Sequence, residues 1–195
     1  MNYFTSDLHF GSEETIKFDN RPFKNAKSFI HHAVKTWNKQ AKKNDIIYVI
    51  GDFADCHSET NRDCLKYFEI VKDIKSKVVL ILGNNEKRII KYFFNNDFKQ
   101  FKEYCLSLGF LDIKENDVIS IKGHQFYLVH KPKDHNKEML SLFGHSHKAM
   151  GIYKSFGFNI GCDLNNYRLY NEKDIMDLLN KKIKYWDKDE NLKLI

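Results

Sequence analysis

Three short apolar runs in the first half of the chain alternate with longer amphipathic stretches. The runs lie at Asn2 to Thr5, Asp45 to Ile50 and Lys77 to Leu82, and their β-branched residues are typical of strands that are buried on both faces. Between them, the stretches Lys24 to Lys43 and Cys64 to Ile74 repeat apolar residues at the helical period. This alternation predicts a parallel sheet with right-handed helical crossovers.

The pattern changes in the second half of the chain. Helical character continues from Glu86 to Ser107 with a break near Asn95 and Asn96, and short apolar runs joined by tight turns follow. The runs predict a second, more antiparallel sheet; they lie at Val118 to Ile121, Gln125 to Val129, Leu140 to Phe143, Gly151 to Tyr153 and Phe156 to Ile160. Asn171 to Asn180 then reads as a helix, while the tail from Lys181 to Ile195 fits either a last strand or a docked end.

Composition predicts one ordinary soluble domain over residues 1–195. Hydrophobic residues make up 42% and charged residues 30% of the 195, which is enough for one well-buried core. No apolar run approaches the ~18 residues of a membrane span, and no signal segment is evident, so we expect a cytoplasmic protein without a membrane partner. The net charge of +6 leaves nucleic acid open as a partner, although the lysines are spread along the chain.

Side chains that bind metals follow almost every predicted core strand. In α/β sheets, ligands bind outside the carboxyl ends of the strands, so residues at these exits are expected to share one site. On an extended backbone, Asp7 and His9 would point to the same side, as would His145 and His147. The candidate ligands are Asp7, His9, Asp52, Asn84, His130, His145 and His147.

Seven such side chains are too many for one zinc ion and suit two cations that share one carboxylate. The mixture of carboxylate, imidazole and amide oxygen favours manganese, iron, zinc or nickel. The sequence therefore predicts two divalent metal ions as cofactors.

Five stretches carry a resemblance to a known family. SDLHFG, GDFAD, GNNE, LVH and GHSH stand in the order of the calcineurin-like metallophosphoesterase signature. NRPF at Asn20 to Phe23 and the segment Asn159 to Arg168 resemble the small single-domain members found in phages and bacteria. The resemblance implies a four-layer α-β-β-α sandwich of two mixed sheets, with the dimetal site at the carboxyl edge of the strands.

The resemblance also assigns roles to the candidate ligands. It implies that Asp52 bridges the two metals and that a hydroxide shared by the ions attacks phosphorus. The remaining ligands would divide into Asp7, His9 and His147 for the first ion, and Asn84, His130 and His145 for the second.

The chain departs from the family at Asn85, where the signature has a histidine that is assigned the protonation of the leaving group. Asparagine donates hydrogen bonds but supplies no proton near pH 7. Three interpretations follow: a substrate with a good leaving group, a proton from another residue such as His57, His31 or His32, or a protein that binds phosphorylated ligands and turns them over slowly. Arg21 in the NRPF stretch is a candidate for gripping a substrate phosphate, with a salt bridge that fixes its loop as the alternative.

These observations predict a metal-dependent phosphohydrolase. We favour a phosphodiesterase over a monoesterase, acting on a nucleotide or related small phosphoester, because no cap domain is evident over the site. The alternatives are a nuclease acting on single-stranded nucleic acid and a catalytically weak module that binds phosphate ligands.

Overall fold

The computed structural model describes residues 1–56, 62–153 and 156–183, and these build two five-stranded sheets flanked by helices. The strands are β1 Asn2–Thr5, β2 Ile46–Ile50, β3 Lys77–Ile81, β4 Asp112–Lys114, β5 Asp117–Ile121, β6 His124–Leu128, β7 Ser141–Phe143, β8 Ile152–Tyr153, β9 Gly157–Asn159 and β10 Tyr170–Asn171. The α-helices are α1 Glu13–Phe18, α2 Ala26–Gln40, α3 Asn84–Phe93, α4 Phe98–Leu108 and α5 Glu172–Lys182, and 3-10 helices lie at Arg62–Asp73, Pro132–Asp134 and Cys162–Asn165.

The first sheet has the strand order β10-β1-β2-β3-β4. The pairs β1–β2, β2–β3 and β3–β4 are parallel, as the alternation of strands and helices predicts, and β10 adds an antiparallel edge next to β1. The three predicted strands of the first half agree with β1, β2 and β3 to within one residue at each end. Both β4 and β10 are short strands that the apolar pattern did not reveal.

The second sheet has the order β5-β6-β7-β9-β8 and is mixed. The pairs β5–β6 and β8–β9 are antiparallel, whereas β6–β7 and β7–β9 are parallel. The turn between β5 and β6 consists of Lys122 and Gly123, both with positive φ, which is the geometry of a tight hairpin. The longer connection from β6 to β7 allows the parallel pairing. The predicted α/β sandwich of two mixed sheets is thus confirmed.

Two hydrophobic cores hold these layers together. One core joins the first sheet to α2, α3, α4 and the 3-10 helix at Arg62–Asp73, and Trp37 and Phe68 are among its fully buried residues. The helical prediction for Cys64 to Ile74 holds, but the helix is of the 3-10 type. The other core joins the opposite face of the first sheet to the second sheet, and α5 contributes Ile175 and Leu179 to it.

Among the described residues, no helix is both long and apolar enough to cross a lipid bilayer. Helix α5 begins and ends close to the predicted limits. The undecided tail lies outside the described residues from position 184 onward. The organisation of residues 1–195 as a single domain stays a prediction.

Candidate metal centre

Side chains from the exits of five strands meet at one edge of the two sheets. Asp7 follows β1, Asp52 follows β2, Asn84 follows β3, His130 follows β6, and His145 and His147 follow β7. The backbone N–H of His145 donates to the Asp7 Oδ1 atom at 2.8 Å, which joins the exit of β1 to that of β7. Asp7, Asp52 and His130 are almost completely buried. The structure therefore brings together the seven side chains that the sequence singles out.

The first cluster contains Asp7, His9 and His147, with one potential ligand atom of each lying within 4.8 Å of the others. The Nε2 atom of His9 also lies 3.6 Å from Asp52 Oδ2. Both Asp7 Oδ2 and His9 Nε2 are buried without a hydrogen-bond partner. A buried polar atom with no partner carries a desolvation cost of about 1–3 kcal/mol, so this pair of atoms fits a cation that would satisfy both.

The second cluster is formed by Asn84, His130, His145 and Asp52. The Asn84 Oδ1 atom lies 3.0 Å from His130 Nε2 and 2.9 Å from His145 Nδ1. Asp52 Oδ2 lies 3.5 Å from His130 Nε2. Four ligand atoms about 2.1 Å from a tetrahedral ion are separated by about 3.4 Å. The distances in this cluster are within about 0.5 Å of that spacing, so these side chains are close enough to share one divalent cation, and Asp52 is common to both clusters.

Two histidines are oriented by acceptors that lie on the far side of their rings. His130 Nδ1 lies 2.9 Å from the Ile50 carbonyl oxygen, and His147 Nδ1 lies 2.6 Å from Asp19 Oδ2. Each Nδ1 therefore carries a hydrogen and donates it, so Nε2 is the nitrogen that would bind a cation after losing any proton of its own. Such contacts fix both the tautomer and the ring orientation of histidine ligands in metalloproteins.

Burial and charge have opposing effects on Asp52 and His130. Burial disfavours the charged form of His130, but the hydrogen bond and charge of Asp52 outweigh it and raise the pKa of His130 to about 9. Burial would also raise the pKa of Asp52, but the His130 contact lowers it well below its usual range. Without a cation, the two side chains thus form a buried ion pair at neutral pH.

Metal binding at pH 7 is expected to release about one proton per chain, because the His130 imidazolium must become neutral before Nε2 can bind a cation. For the same reason, the metal affinity should rise as the pH increases from 7 to 9. Calorimetric titration in two buffers with different ionisation enthalpies measures the released proton directly. Equal heats in both buffers would contradict the protonated state of His130.

The backbone around the site is unusual. Five of the seven candidate ligands have positive φ, namely Asp7, His9, Asp52, His145 and His147. The expectation that an extended backbone aligns Asp7 with His9, and His145 with His147, is therefore wrong. Asp7 and His9 meet in the first cluster although both have the left-handed conformation, whereas His145 and His147 lie in different clusters. Non-glycine residues in this region store strain, and such residues cluster at functional sites.

Glu86 connects the exits of β2 and β3 through hydrogen bonds, a role that the sequence analysis did not predict. Its carboxylate is fully buried and accepts hydrogen bonds from the backbone N–H groups of Asp52, Phe53 and Gly83 at 2.8–2.9 Å. Burial and the charge of Asp52 raise the pKa of Glu86 to about 7. The available signal was its place three residues after Gly83, which is the acidic position of a capping box at the start of α3.

Asn85 lies in the first turn of α3 and is buried. Its backbone N–H donates to Asp52 Oδ1 at 2.9 Å, and its Nδ2 atom lies 3.4 Å from His9 Nδ1. Arg88 Nη1 donates to Asn85 Oδ1 at 3.3 Å and to the carbonyl oxygen of Cys56 at 3.0 Å. The asparagine thus links the His9 ring to a permanent cation one helical turn away.

Arg21 does not reach the site as a phosphate ligand. Its side chain is fully buried, and its Nε and Nη2 atoms bind the Asp163 carboxylate at 2.9 and 2.7 Å. It also donates to the carbonyl oxygens of Asp7 and Leu8 at 2.7 and 2.8 Å. The salt-bridge alternative is the one that the structure supports, because Arg21 holds the strained loop that carries Asp7.

The other candidate proton donors are His31, His32 and His57. His31 and His32 are exposed on α2, where the His32 ring packs 5.1 Å from that of Phe23. His57 lies outside the described residues. Asp19, the acceptor for His147, was not found from the sequence because 128 residues separate the two.

The Calcineurin-like phosphoesterase family model matches residues 3–186. An uncharacterized protein of Methanocaldococcus jannaschii is 26% identical over 188 residues, which cover 92% of this chain and 91% of that protein.

Two solved structures are similar to this one. A protein of unknown function from Aquifex aeolicus has a TM-score of 0.65 and 24% identity, covering 91% of this chain and 98% of that chain. The Pseudomonas putida nuclease MPE has a TM-score of 0.48 and 19% identity, covering 75% of this chain and 61% of that chain. At 24% identity the likeness to the Aquifex aeolicus protein concerns the fold alone, whereas the family model spans nearly the whole sequence. The chain belongs to the calcineurin-like phosphoesterase family.

Proposed function

We propose that this protein is a phosphodiesterase that binds two divalent cations and hydrolyses a nucleotide or a related phosphodiester. The observation that carries the proposal is the pair of ligand clusters that share Asp52, with Asp7 Oδ2 and His9 Nε2 buried without a hydrogen-bond partner. A chain that kept these residues for stability alone would be expected to pair such atoms with donors or acceptors.

The chain's own residues would divide the work as follows. Asp7, His9, Asp52 and His147 would hold one cation, and Asp52, Asn84, His130 and His145 would hold the other. When bound, divalent cations supply an ionised water for attack and neutralise the charge that develops on the phosphoryl group. Ile50 and Asp19 keep the rings of His130 and His147 in the orientation that binding requires. Arg21 and Glu86 fix the loops that carry Asp7 and Asp52.

An open site supports a diester substrate. His145 is exposed, and a cleft of about 210 Å³ adjoins Asn84 and His130. A second ester group can extend into this space, whereas a monoester would leave it empty. Asn85 supports a substrate whose leaving group departs without a proton from this position.

Hydrolysis of bis-p-nitrophenyl phosphate and p-nitrophenyl phosphate by metal-stripped protein tests the proposal, with manganese, nickel, zinc or magnesium added back. Both esters release a good leaving group, so the assay does not depend on an acid at position 85. We expect metal-dependent turnover that is faster for the diester. Binding of two metal ions without turnover of either ester would instead identify a module that binds phosphate ligands. Faster turnover of the monoester would overturn the preference for diesters.

Asn85→His is expected to raise kcat/KM for a diester with an alkyl leaving group by about tenfold and to change it less than twofold for the p-nitrophenyl diester. General acids contribute most to poor leaving groups. Asn180→His, an exposed position on α5, is the matched control. An equal effect on both substrates would contradict the inference that Asn85 leaves the site without its acid.

A further inference from the structure

A cleft of about 210 Å³ opens directly beside the second ligand cluster. Asn84 and His130 form part of its wall, so a group bound there would lie next to the second cation. The volume is below the ~300 Å³ of sites that enclose a drug-sized ligand. It therefore suits a phosphate with its sugar better than a whole nucleotide.

Three lysines line this cleft, namely Lys87, Lys131 and Lys133, together with the carboxylates of Glu115 and Asp134. Within the described part of the chain, none of the three lysines forms an ion pair. Lys114, by contrast, is paired with Asp117 at 2.7 Å. Three ammonium groups against two carboxylates leave the lining of the cleft with a net positive charge.

Lys131 follows the candidate ligand His130 directly in the chain and lines the cleft together with His130 and Asn84. An anion held by Lys131 in the cleft would therefore lie beside the second cluster.

We propose that this cleft binds the phosphate adjacent to the scissile one, so that the substrate is a single-stranded oligonucleotide rather than an isolated diester. The proposal rests on the phosphodiesterase function proposed above. Lysine contacts to phosphate carry no base preference, so binding should depend on salt and on the number of phosphates, and little on sequence.

The test separates binding from turnover. In EDTA, the affinity for a fluorescein-labelled pentathymidylate is measured by anisotropy over a range of salt concentrations. The test protein is a double variant that combines Lys131→Ala with Lys133→Ala. The control is Lys99→Ala on α4, because the Lys99 side chain is 86% exposed. We expect about tenfold weaker binding for the double variant, and a salt slope smaller by about 1.4, since each lost phosphate contact removes about 0.7.

A kinetic arm uses dithymidylate with no terminal phosphate, with a 5′-phosphate and with a 3′-phosphate, in the presence of metal. One of the two terminal phosphates should lower KM about fivefold in the wild-type protein and have no effect in the double variant. Inorganic pyrophosphate as a competitor shows whether free phosphate occupies the cleft equally well.

The outcomes distinguish the two proposals. Unchanged affinity and salt slope in the double variant, or an equal loss in Lys99→Ala, would overturn the cleft proposal. A KM that is the same with and without a terminal phosphate would also overturn the cleft proposal, but it would leave the proposed phosphodiesterase function intact. Oligonucleotide binding that depends on the two lysines, without any turnover, would support the cleft as a phosphate site and contradict the proposed phosphodiesterase function.

Discussion

Asp52→Asn is expected to reduce diester hydrolysis by about 10³-fold and to lower the number of metal ions bound per chain. Asp52 Oδ2 lies 3.6 Å from His9 Nε2 and 3.5 Å from His130 Nε2, so a single carboxylate oxygen faces both ligand clusters. Asparagine removes the negative charge that would balance two cations, and its amide hydrogens repel them. Charge stabilisation by bound metals contributes several kcal/mol, and each 1.36 kcal/mol changes the rate about tenfold.

Metal counts on the dialysed protein and rates on bis-p-nitrophenyl phosphate measure the two effects together. Asp73→Asn, at an exposed position of the 3-10 helix Arg62–Asp73, controls for a generic change of charge. If the variant keeps two metal ions and full activity, Asp52 is not a ligand that the two metal ions share. Loss of activity with both ions retained would instead place its contribution in the chemistry rather than in metal binding.

Much of this architecture could be predicted because it depends on local periodicity. The apolar runs at β1, β2 and β3, rich in aromatic and β-branched residues, indicate strands, and the apolar stripe of α2 indicates a helix. Once those strands are parallel, their exits must share an edge. Polar residues at these exits, such as Asp7 and Asp52, could therefore be assigned to one site without any contact information.

The details that escaped prediction depend on contacts between distant parts of the chain. Asp19 meets His147 across 128 residues and Arg21 meets Asp163 across 142, and no local pattern encodes either pairing. Strand β10 has only two residues, too few to show a period, and it forms because β1 offers a free edge. The same limit applies to charge: Lys87 and Lys131 are far apart in sequence, and only the fold gathers them around one cleft.

The left-handed loops show where periodicity misleads. The alternation of side chains along a strand predicts that Asp7 and His9 point to the same side. In the structure the two side chains do lie together, but both residues have positive φ and are not extended. The correct side chains were thus identified for an incorrect geometric reason. Tertiary contacts such as those of Arg21 with the carbonyl oxygens of Asp7 and Leu8 hold a conformation that the local sequence would not adopt alone.

Gly51→Ala is expected to cost about 2–4 kcal/mol of the free energy of unfolding and to weaken metal binding by 10- to 100-fold. Gly51 has φ +82°, and a Cβ atom there would lie 2.3 Å from His130 Nδ1 and 2.7 Å from the Gly83 Cα atom. The left-handed backbone accounts for about 1 kcal/mol, and the overpacking of a buried site adds about 1–3 kcal/mol. The His130 ring would have to leave the Ile50 carbonyl oxygen that orients it, and changes to such supporting contacts lower metal affinity by 10- to 100-fold.

Gly123 provides a matched control for this substitution. Its φ of +85° is nearly the same, but nothing lies within 4 Å of the added Cβ, so Gly123→Ala carries the backbone cost alone. Urea unfolding of the metal-stripped proteins should therefore show a loss of about 1 kcal/mol for Gly123→Ala and several times that for Gly51→Ala. The difference between the two isolates the contact with His130. Equal losses of unfolding free energy, with metal affinity intact in both variants, would mean that the His130 ring moves aside without cost. Gly51 would then be required only for its positive φ. A larger loss at Gly51 together with weaker metal binding would tie the glycine at the exit of β2 directly to the orientation of His130.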